Sequence, residues 1–473
     1  MLHHWFVLLP EILLLLFFPV AACVEKFLQE KNSRTFFMLT QFFLGMSTAF
    51  SILFYNKSAF PELLQKTPLS TLFATAGAIV SWAWFYLSSK WFINKNQSPS
   101  KFYARCLIIL LGLDIMVASA SLLTLTIAAT GISLSVYFLV LREWNKDKIT
   151  QPLKIYVISS VCFMLFLWVG SLLLYGKSGS FSYEIIKDFL ANKTIDAETI
   201  VACLLIVSAM MFMLAQVPFH QWFSALVGEG HLPASGFLVL VPPLLYVCVL
   251  IHLIRNCLWP LKDIILPVMT TFAFVSLYVG ALSAHRENNM RKWVACIAVY
   301  GIGFTLVGLS DFSKSAIIAS FAYLMITVLS LGGIYTVFLG MKSKGDYIRE
   351  IEQINGFSEK RPYMSAALLV FIFSLIGMAP TLGFLGYLSV INNLIGQGEW
   401  LKITGLIMAL LFLAGAGLQM IRAVYFEASS NKYDRPDKAI YIGLFINMVI
   451  ILTSLLNPTW LMHDILVILG GLS

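Results

Sequence analysis

Long apolar runs alternate with short polar clusters along the whole chain, and the runs return every 25 to 35 residues. Each is about as long as the ~20 apolar residues a helix needs to cross the ~30 Å hydrocarbon layer of a bilayer. Fourteen spans are predicted, at 5–23, 36–55, 70–92, 103–121, 123–141, 152–175, 199–227, 234–255, 264–283, 293–310, 314–340, 364–396, 401–426 and 438–457. The expected fold class is all-α, a polytopic membrane protein of about 14 transmembrane helices. The apolar segment after Asn457 is too short for a further span and is expected to lie at the interface or to pack as a tail. The start, MLHHWFVLLPEILLLLFFPV, has no Lys or Arg before its apolar run and no small-residue cleavage site, so it reads as a first span and not as a signal peptide.

Two spans are too long for one straight crossing, and each holds a proline, Pro218 in the seventh and Pro380 in the twelfth. Proline removes a backbone donor and disfavours the helical turn before it, so both spans are expected to be broken helices. They stand five spans apart, each the fourth of a five-helix block. An odd block length makes the second block enter the membrane in the opposite sense, the arrangement of inverted repeats with a functional path through the broken helices. The expected organisation is an N-terminal three-helix segment over 1–102, a first five-helix repeat over 103–255, a second inverted repeat over 264–426, and a C-terminal helix and tail over 427–473. Two proline kinks arising by chance in a helix bundle remain the plainer reading.

Composition agrees with the pattern. Of 473 residues 59% are hydrophobic and 12% charged, where a soluble domain carries about 25% charged residues, and the mean hydropathy is +0.84. A soluble enzyme, a disulfide scaffold and a disordered protein are excluded. The net charge of +8 would suit nucleic acid only if it lay on one face. Here Lys and Arg sit in clusters between spans: 22 fall on one set of loops and helix ends, nine on the other, and Lys154 lies inside a span. Such a bias puts the richer set inside and both termini outside, in the periplasm of a bacterial host. No pair of the seven cysteines has C-x-x-C spacing and none is read as a zinc ligand, so they read as core hydrophobes, and the seven histidines are dispersed.

Six segments in register resemble the antiporter-like membrane subunits of respiratory complex I, and among them the N-type subunit of bacterial NADH:quinone oxidoreductase. They are Phe102-Tyr103 through MVASASLLTL and ISLSVY; LKIY followed by LLLYGKSGSFSYEI; VPFHQW at 217–222; NNMRKWVACIAVYGIGFTLVGL at 288–309; the stretch 354–395 containing GMAPTLGFLGYLS; and MIRAVYF at 420–426. The resemblance covers roughly residues 100 to 430. It implies a lysine on each broken helix, a glutamate on the fifth span and a lysine on the eighth, which exchange protons as desolvation and a movable counter-charge pull on their affinities. This chain has Thr130 at the glutamate position, Met213 and Tyr387 at the lysines of the broken helices, and Pro243 at the lysine of the eighth span. A histidine of the tenth span falls on Gly301; only a lysine early in the sixth span is kept, as Lys154. The fold is expected to persist while the family's proton route through this subunit is lost.

Other residues carry two readings each. Asp114 lies in the fourth span with no second charge beside it in sequence, either a relocated proton site or a neutral acid hydrogen-bonded to a neighbouring helix. Lys154 is a relay lysine or one that snorkels to the interface. His220, just after Pro218, caps the break or shuttles protons, with Trp222 packing beside it. Tyr387 can join a hydroxyl chain but cannot replace a lysine charge. His252 and Arg255 mark an outer exit or an interface anchor; Arg291 and Lys292 anchor topology or touch lipid phosphate or a partner. The loop 342–361, with both charge signs, reads as a solvated docking surface.

The resemblance implies a membrane-arm subunit associated with proton translocation, here structural with a degenerate path. It has no redox chemistry or catalytic residues of its own, so whether it counts as an enzyme is open. NADH, flavin, iron–sulfur and quinone are expected only in partner subunits, with no cofactor or metal in this chain. The expected partners are other membrane subunits of a complex I-like assembly and the bilayer, without nucleic acid, in the bacterial inner membrane. A subunit of a cation/proton antiporter, or a scaffold recruited to another energy-converting membrane complex, is the alternative.

Overall fold

A computed structural model describes residues 8–28, 33–54, 58–59, 63–95, 99–143, 146–192, 196–428 and 432–452. The predicted tail after Asn457 and the first residues of the first span lie outside the described residues. Nearly all of the rest is helix, in chain order α1 (Leu9–Leu28), α2 (Ser33–Leu53), α3 (Pro68–Asn94), α4 (Ser100–Val117), α5 (Leu122–Glu143), α6 (Lys146–Ser178), α7 (Tyr183–Asn192), α8 (Ala197–Met213) and α9 (Gln221–Glu229). Then follow α10 (Leu232–Leu240), α11 (Pro242–Leu253), α12 (Lys262–Arg286), α13 (Met290–Gly308), α14 (Lys314–Gly340), α15 (Pro362–Ile376), α16 (Leu382–Gly396), α17 (Trp400–Phe426) and α18 (Lys438–Leu452). Two small antiparallel hairpins, Ser58–Ala59 with Leu64–Gln65 and Lys342–Ser343 with Asp346–Tyr347, sit in loops. Eight helical stretches among the described residues are long and apolar enough to cross a membrane by length and composition, and shorter apolar helices join them. A total of fourteen crossings requires counting the shorter helices across their breaks.

Local signals set the helix starts. Thr67 caps α3: its hydroxyl accepts from the Ser70 amide and its own amide donates back to Ser70 Oγ, with Pro68 in the first turn where its missing donor costs nothing. Asn289 caps α13, and Ser313 caps α14. The sixth span starts six residues earlier than predicted, because α6 runs from Lys146 with Pro152 inside it. Helix α7 lies in what reads as a polar loop; it buries Tyr183, Ile186 and Leu190, one face of a short amphipathic helix.

The chain forms two compact units. One holds the residues up to Leu214 together with Val241–Pro267, the other Ala215–Leu240 together with the residues from Val268 onward. In the first, α4 packs against α1, α5 and α11, and α11 is buried along its whole length. Helix α6 instead presents a stripe of Ile158, Val161, Leu165, Val169 and Leu172 outward, with Phe163, Leu167 and Leu174 buried. A stripe of that kind on a chain this apolar suits lipid. In the second unit α14 is the centre, packed by α10, α13, α15, α16 and α18.

Both predicted breaks are present. Helices α8 and α9 flank Pro218, and α15 and α16 flank Pro380. Each proline follows a cis peptide bond, Val217–Pro218 and Ala379–Pro380, and each break has a residue with positive φ before it, Ala215 and Gly377. The eighth span is interrupted as well, a feature not expected from its length. Val241 separates α10 from α11, because Pro242 and Pro243 supply no backbone donors to continue the earlier turn and fit only the first turn of a new helix.

Candidate functional site

At the first break the backbone groups freed by Pro218 find partners nearby. The Val217 amide donates to Ser276 Oγ at 2.9 Å, and that hydroxyl donates in turn to the Phe272 carbonyl at 2.7 Å. The Phe219 amide donates to the Gln216 carbonyl. His220 stands at the start of α9, where its carbonyl accepts from the Phe223 and Ser224 amides. Its imidazole makes no capping bond, and Nδ1 is enclosed without a hydrogen-bond partner among the described residues. Trp222 is buried edge-on to Phe223 and packs beside the break.

The positions that carry charge in the resembling family are apolar or satisfied locally. Met213 is the last residue of α8 and is buried, as are Met210, Met211, Phe212 and Leu214. Thr130 on α5 is half-buried, its hydroxyl spent on the Ile127 carbonyl at 2.8 Å in its own helix. Pro243 is buried in the first turn of α11. Lys154 lies two turns into α6 and is exposed; the neighbour that faces inward is Tyr156, whose hydroxyl donates to the Ser133 carbonyl of α5 at 2.8 Å. Gly301 leaves room that Thr327 fills, for a Cβ there would meet Thr327 Cγ2 at 2.8 Å.

At the second break Tyr387 lies in an aromatic cluster. Its hydroxyl donates to the Leu375 carbonyl at 2.9 Å and accepts from Tyr323 at 3.3 Å. Phe304 packs against both rings, with centroid separations of 4.3 Å to Tyr323 and 4.6 Å to Tyr387. The Leu375 carbonyl, one turn before the Pro380 break, is thus held by a tyrosine hydroxyl where the family has a lysine. The hydroxyls of Ser330 and Ser374 pair at 2.8 Å beside it. Tyr387→Phe is expected to lower stability by about 1–3 kcal/mol, since it leaves that buried carbonyl without its donor. Thermal unfolding of the purified chain in detergent measures this, and an unchanged midpoint would refute it.

Charge missing from the breaks is found elsewhere in the first unit. Lys66, a loop residue just before α3, forms an ion pair with Glu11 in the first turn of α1, Nζ to Oε1 2.9 Å, and both side chains are buried. Asp114 on α4 lines the same small cavity with them, together with Ser51, Ser70 and Thr71. The expectation that Asp114 has no charged companion is therefore corrected: its companions come from two other elements, where sequence spacing gives no sign of them. A larger cavity of about 350 Å³ adjoins the same loop, lined by Gln65, Thr67, Tyr183, Lys187, His252 and Asn256. His252 is buried, and Arg255 lines a second opening of about 240 Å³.

Two further readings change. Arg291 is no surface anchor: it is buried and donates through Nη1 to the Gly230 carbonyl at the end of α9, while Lys292 lies 3.7 Å from Glu229. The loop 342–361 is partly tied down, with Ile351 donating to the Asn288 carbonyl and Met290 to that of Arg349. Among the described residues no three His, Cys, Asp or Glu side chains stand close enough to hold a metal, and no disulfide joins the seven cysteines.

The family described as NADH:quinone oxidoreductase/Mrp antiporter, transmembrane, matches residues 119–413. A protein of Pelagibacter ubique named NADH-quinone oxidoreductase subunit N is 27% identical over 360 residues, 75% of either chain. One of the same name from Thioalkalivibrio sulfidiphilus is 23% identical over 458 residues, 95% of this chain and 93% of that one. Among solved structures, respiratory complex I from Thermus thermophilus contains a chain that superposes with a TM-score of 0.80 at 18% identity, over 96% of this chain and 98% of that chain. A chain of the Mrp complex from Dietzia gives 0.82 at 14%, covering 99% and 97%. One of an archaeal membrane-bound sulfane sulfur reductase gives 0.84 at 16%, covering 98% and 97%.

Proposed function

This chain belongs to the NADH:quinone oxidoreductase/Mrp antiporter family of membrane subunits, and from that membership we propose that it is the N-type, antiporter-like subunit in the membrane arm of an NADH:quinone oxidoreductase. The observation that carries the assignment is end-to-end correspondence: relatives named subunit N align over up to 96% of the chain, and the two proline breaks stand where the resemblance implies the family's broken helices. The repeats, 103–255 and 264–426, supply the inverted pair of broken helices. Oxidation of NADH, the flavin and iron–sulfur relay and quinone binding belong to partner subunits in this reading.

Within that arm the chain seals and bridges its neighbours and lacks the family's relay. Thr130, Met213 and Pro243 cannot exchange a proton near neutral pH. Tyr387 is held by its own hydrogen bonds, and Lys154 faces outward. The 22-to-nine bias of basic residues sets both termini on the outer side of a bacterial inner membrane.

The same fold occurs in chains of Mrp and sulfane sulfur reductase complexes, which keeps an antiporter subunit or a recruited scaffold as the second reading. Purification of the tagged chain from its native membrane in mild detergent, followed by mass spectrometry, separates them. Recovery with NADH-oxidising and quinone-binding subunits is the expected result; recovery with an antiporter assembly, or alone, would refute the proposal.

A further inference from the structure

We propose that Glu11, Lys66 and Asp114 form a proton-binding site, in which two carboxylates and one ammonium together hold a single exchangeable proton. Three elements build it: the first turn of α1, the loop residue before α3, and the last turn of α4. Glu11 and Lys66 are buried and 2.9 Å apart, so their charges cancel. Asp114 adds a second carboxylate, and among the described residues that line the cavity Lys66 is the one cation. Its Oδ1 is enclosed and has no hydrogen-bond partner among the described residues. An anion in excess inside a membrane protein is costly, and the site becomes neutral when one positive charge is added. The cavity between the groups measures about 20 Å³, which is the space of about one water molecule. A proton carried in on that water and left on an Asp114 oxygen satisfies the charge count, and the hydroxyls of Ser51, Ser70 and Thr71 line its surroundings.

Access comes from the loop itself. Gln65 and Thr67 line the 350 Å³ cavity, whereas Lys66 between them lines the small one. Neighbouring residues of an extended strand point to opposite sides, so one thickness of chain separates the ion pair from the larger opening. Beyond it, Ser119 and Tyr183 hydroxyls meet at 3.0 Å. The start of α1, the start of α3 and the end of α4 share one side of the membrane, so the proton exchanges with that side alone. This places a titratable site at one end of a subunit that has no relay across it. The site stands whether or not the chain assembles with an NADH-oxidising partner.

Charge counting makes the test specific. The full-length chain, purified in an ester-free maltoside detergent, is followed by infrared spectroscopy in the carbonyl region of protonated carboxyl groups, with aspartate labelled by carbon-13 to mark Asp114. The unsubstituted protein is expected to show one such band from this site near neutral pH. Asp114→Asn removes it. Glu11→Gln also removes it, because Asp114 then has Lys66 to itself. Lys66→Met increases it about twofold, since both carboxylates are then neutralised by protons. A band unchanged by Glu11→Gln and Lys66→Met would reduce Asp114 to an isolated neutral acid and overturn the proposal. So would a band absent from the unsubstituted protein, or one abolished by sodium in place of choline at fixed pH, which would make the ligand a metal cation. Glu11→Gln conserves shape, so it and the isotope label decide the matter if Lys66→Met fails to give a monodisperse protein.

Discussion

Met213→Lys is expected to destabilise the protein by about 2.5–3.5 kcal/mol, the order of the insertion cost of a lysine in the middle of a membrane span, and to restore no proton translocation. In the resembling family a lysine at this position answers to a glutamate on the fifth span. Here the fifth span offers Thr130, whose hydroxyl is bonded within its own helix. An ammonium at 213 would replace a thioether that is 5% exposed, in a helix end where Met210, Met211, Phe212 and Leu214 are buried too. Carbonyls at the end of α8 would relieve part of the cost, by roughly 0.3–1 kcal/mol. Thermal unfolding of the purified variant gives the loss, and the proton-to-electron ratio of the assembled complex gives the functional result. A stable variant with a raised ratio would show that an intact path surrounds the position and that the inert reading is wrong.

Gly383→Ala is expected to be the most damaging single methyl group in the second unit. A Cβ built on Gly383 would overlap the Ser374 carbonyl, so backbone meets backbone and no rotamer change can make room. Helix α16 starts at Leu382, and Gly383 lets it return against α15 within a turn of the Pro380 break. Overpacking of a buried site costs about 1–3 kcal/mol when side chains can adjust. Here the two half-helices must separate, and a loss at or above the upper end of that range is expected. Gly396→Ala, in the same helix with open space around the added methyl, is the control and should be neutral or slightly stabilising. Equal midpoints for the two variants in detergent would contradict the close approach.

What was legible in the sequence were features encoded by neighbours along the chain. Apolar run length gave the spans, and Pro218 and Pro380 announced their breaks through a missing donor. The second break's return against α15 was less visible, because the requirement for glycine at 383 comes from Ser374, on the other half-helix. Pro242 and Pro243 fall inside a predicted span, although two successive prolines begin a helix more readily than they continue one. The ionic site was hidden for a different reason. Glu11 resembles an interfacial acid, Lys66 an outer-loop cation, and Asp114 a lone carboxylate; only the packing of α1 and α4 with the loop before α3 joins them. Arg291 misled in the same way: its cluster suits topology, yet its guanidinium closes the end of α9.

The ion pair also has a history during synthesis. Glu11 and Lys66 are 55 residues apart. At roughly 5–20 residues added per second, the first helix waits about 3–11 s for its lysine. During that interval the acid in the first turn of α1 lacks the lysine it pairs with in the folded chain. The lysine then arrives just ahead of α3, so its capture by Glu11 draws the ends of α1 and α3 together before α4 has been made. The order in which the residues emerge from the ribosome thus gives the first three helices a reason to gather early.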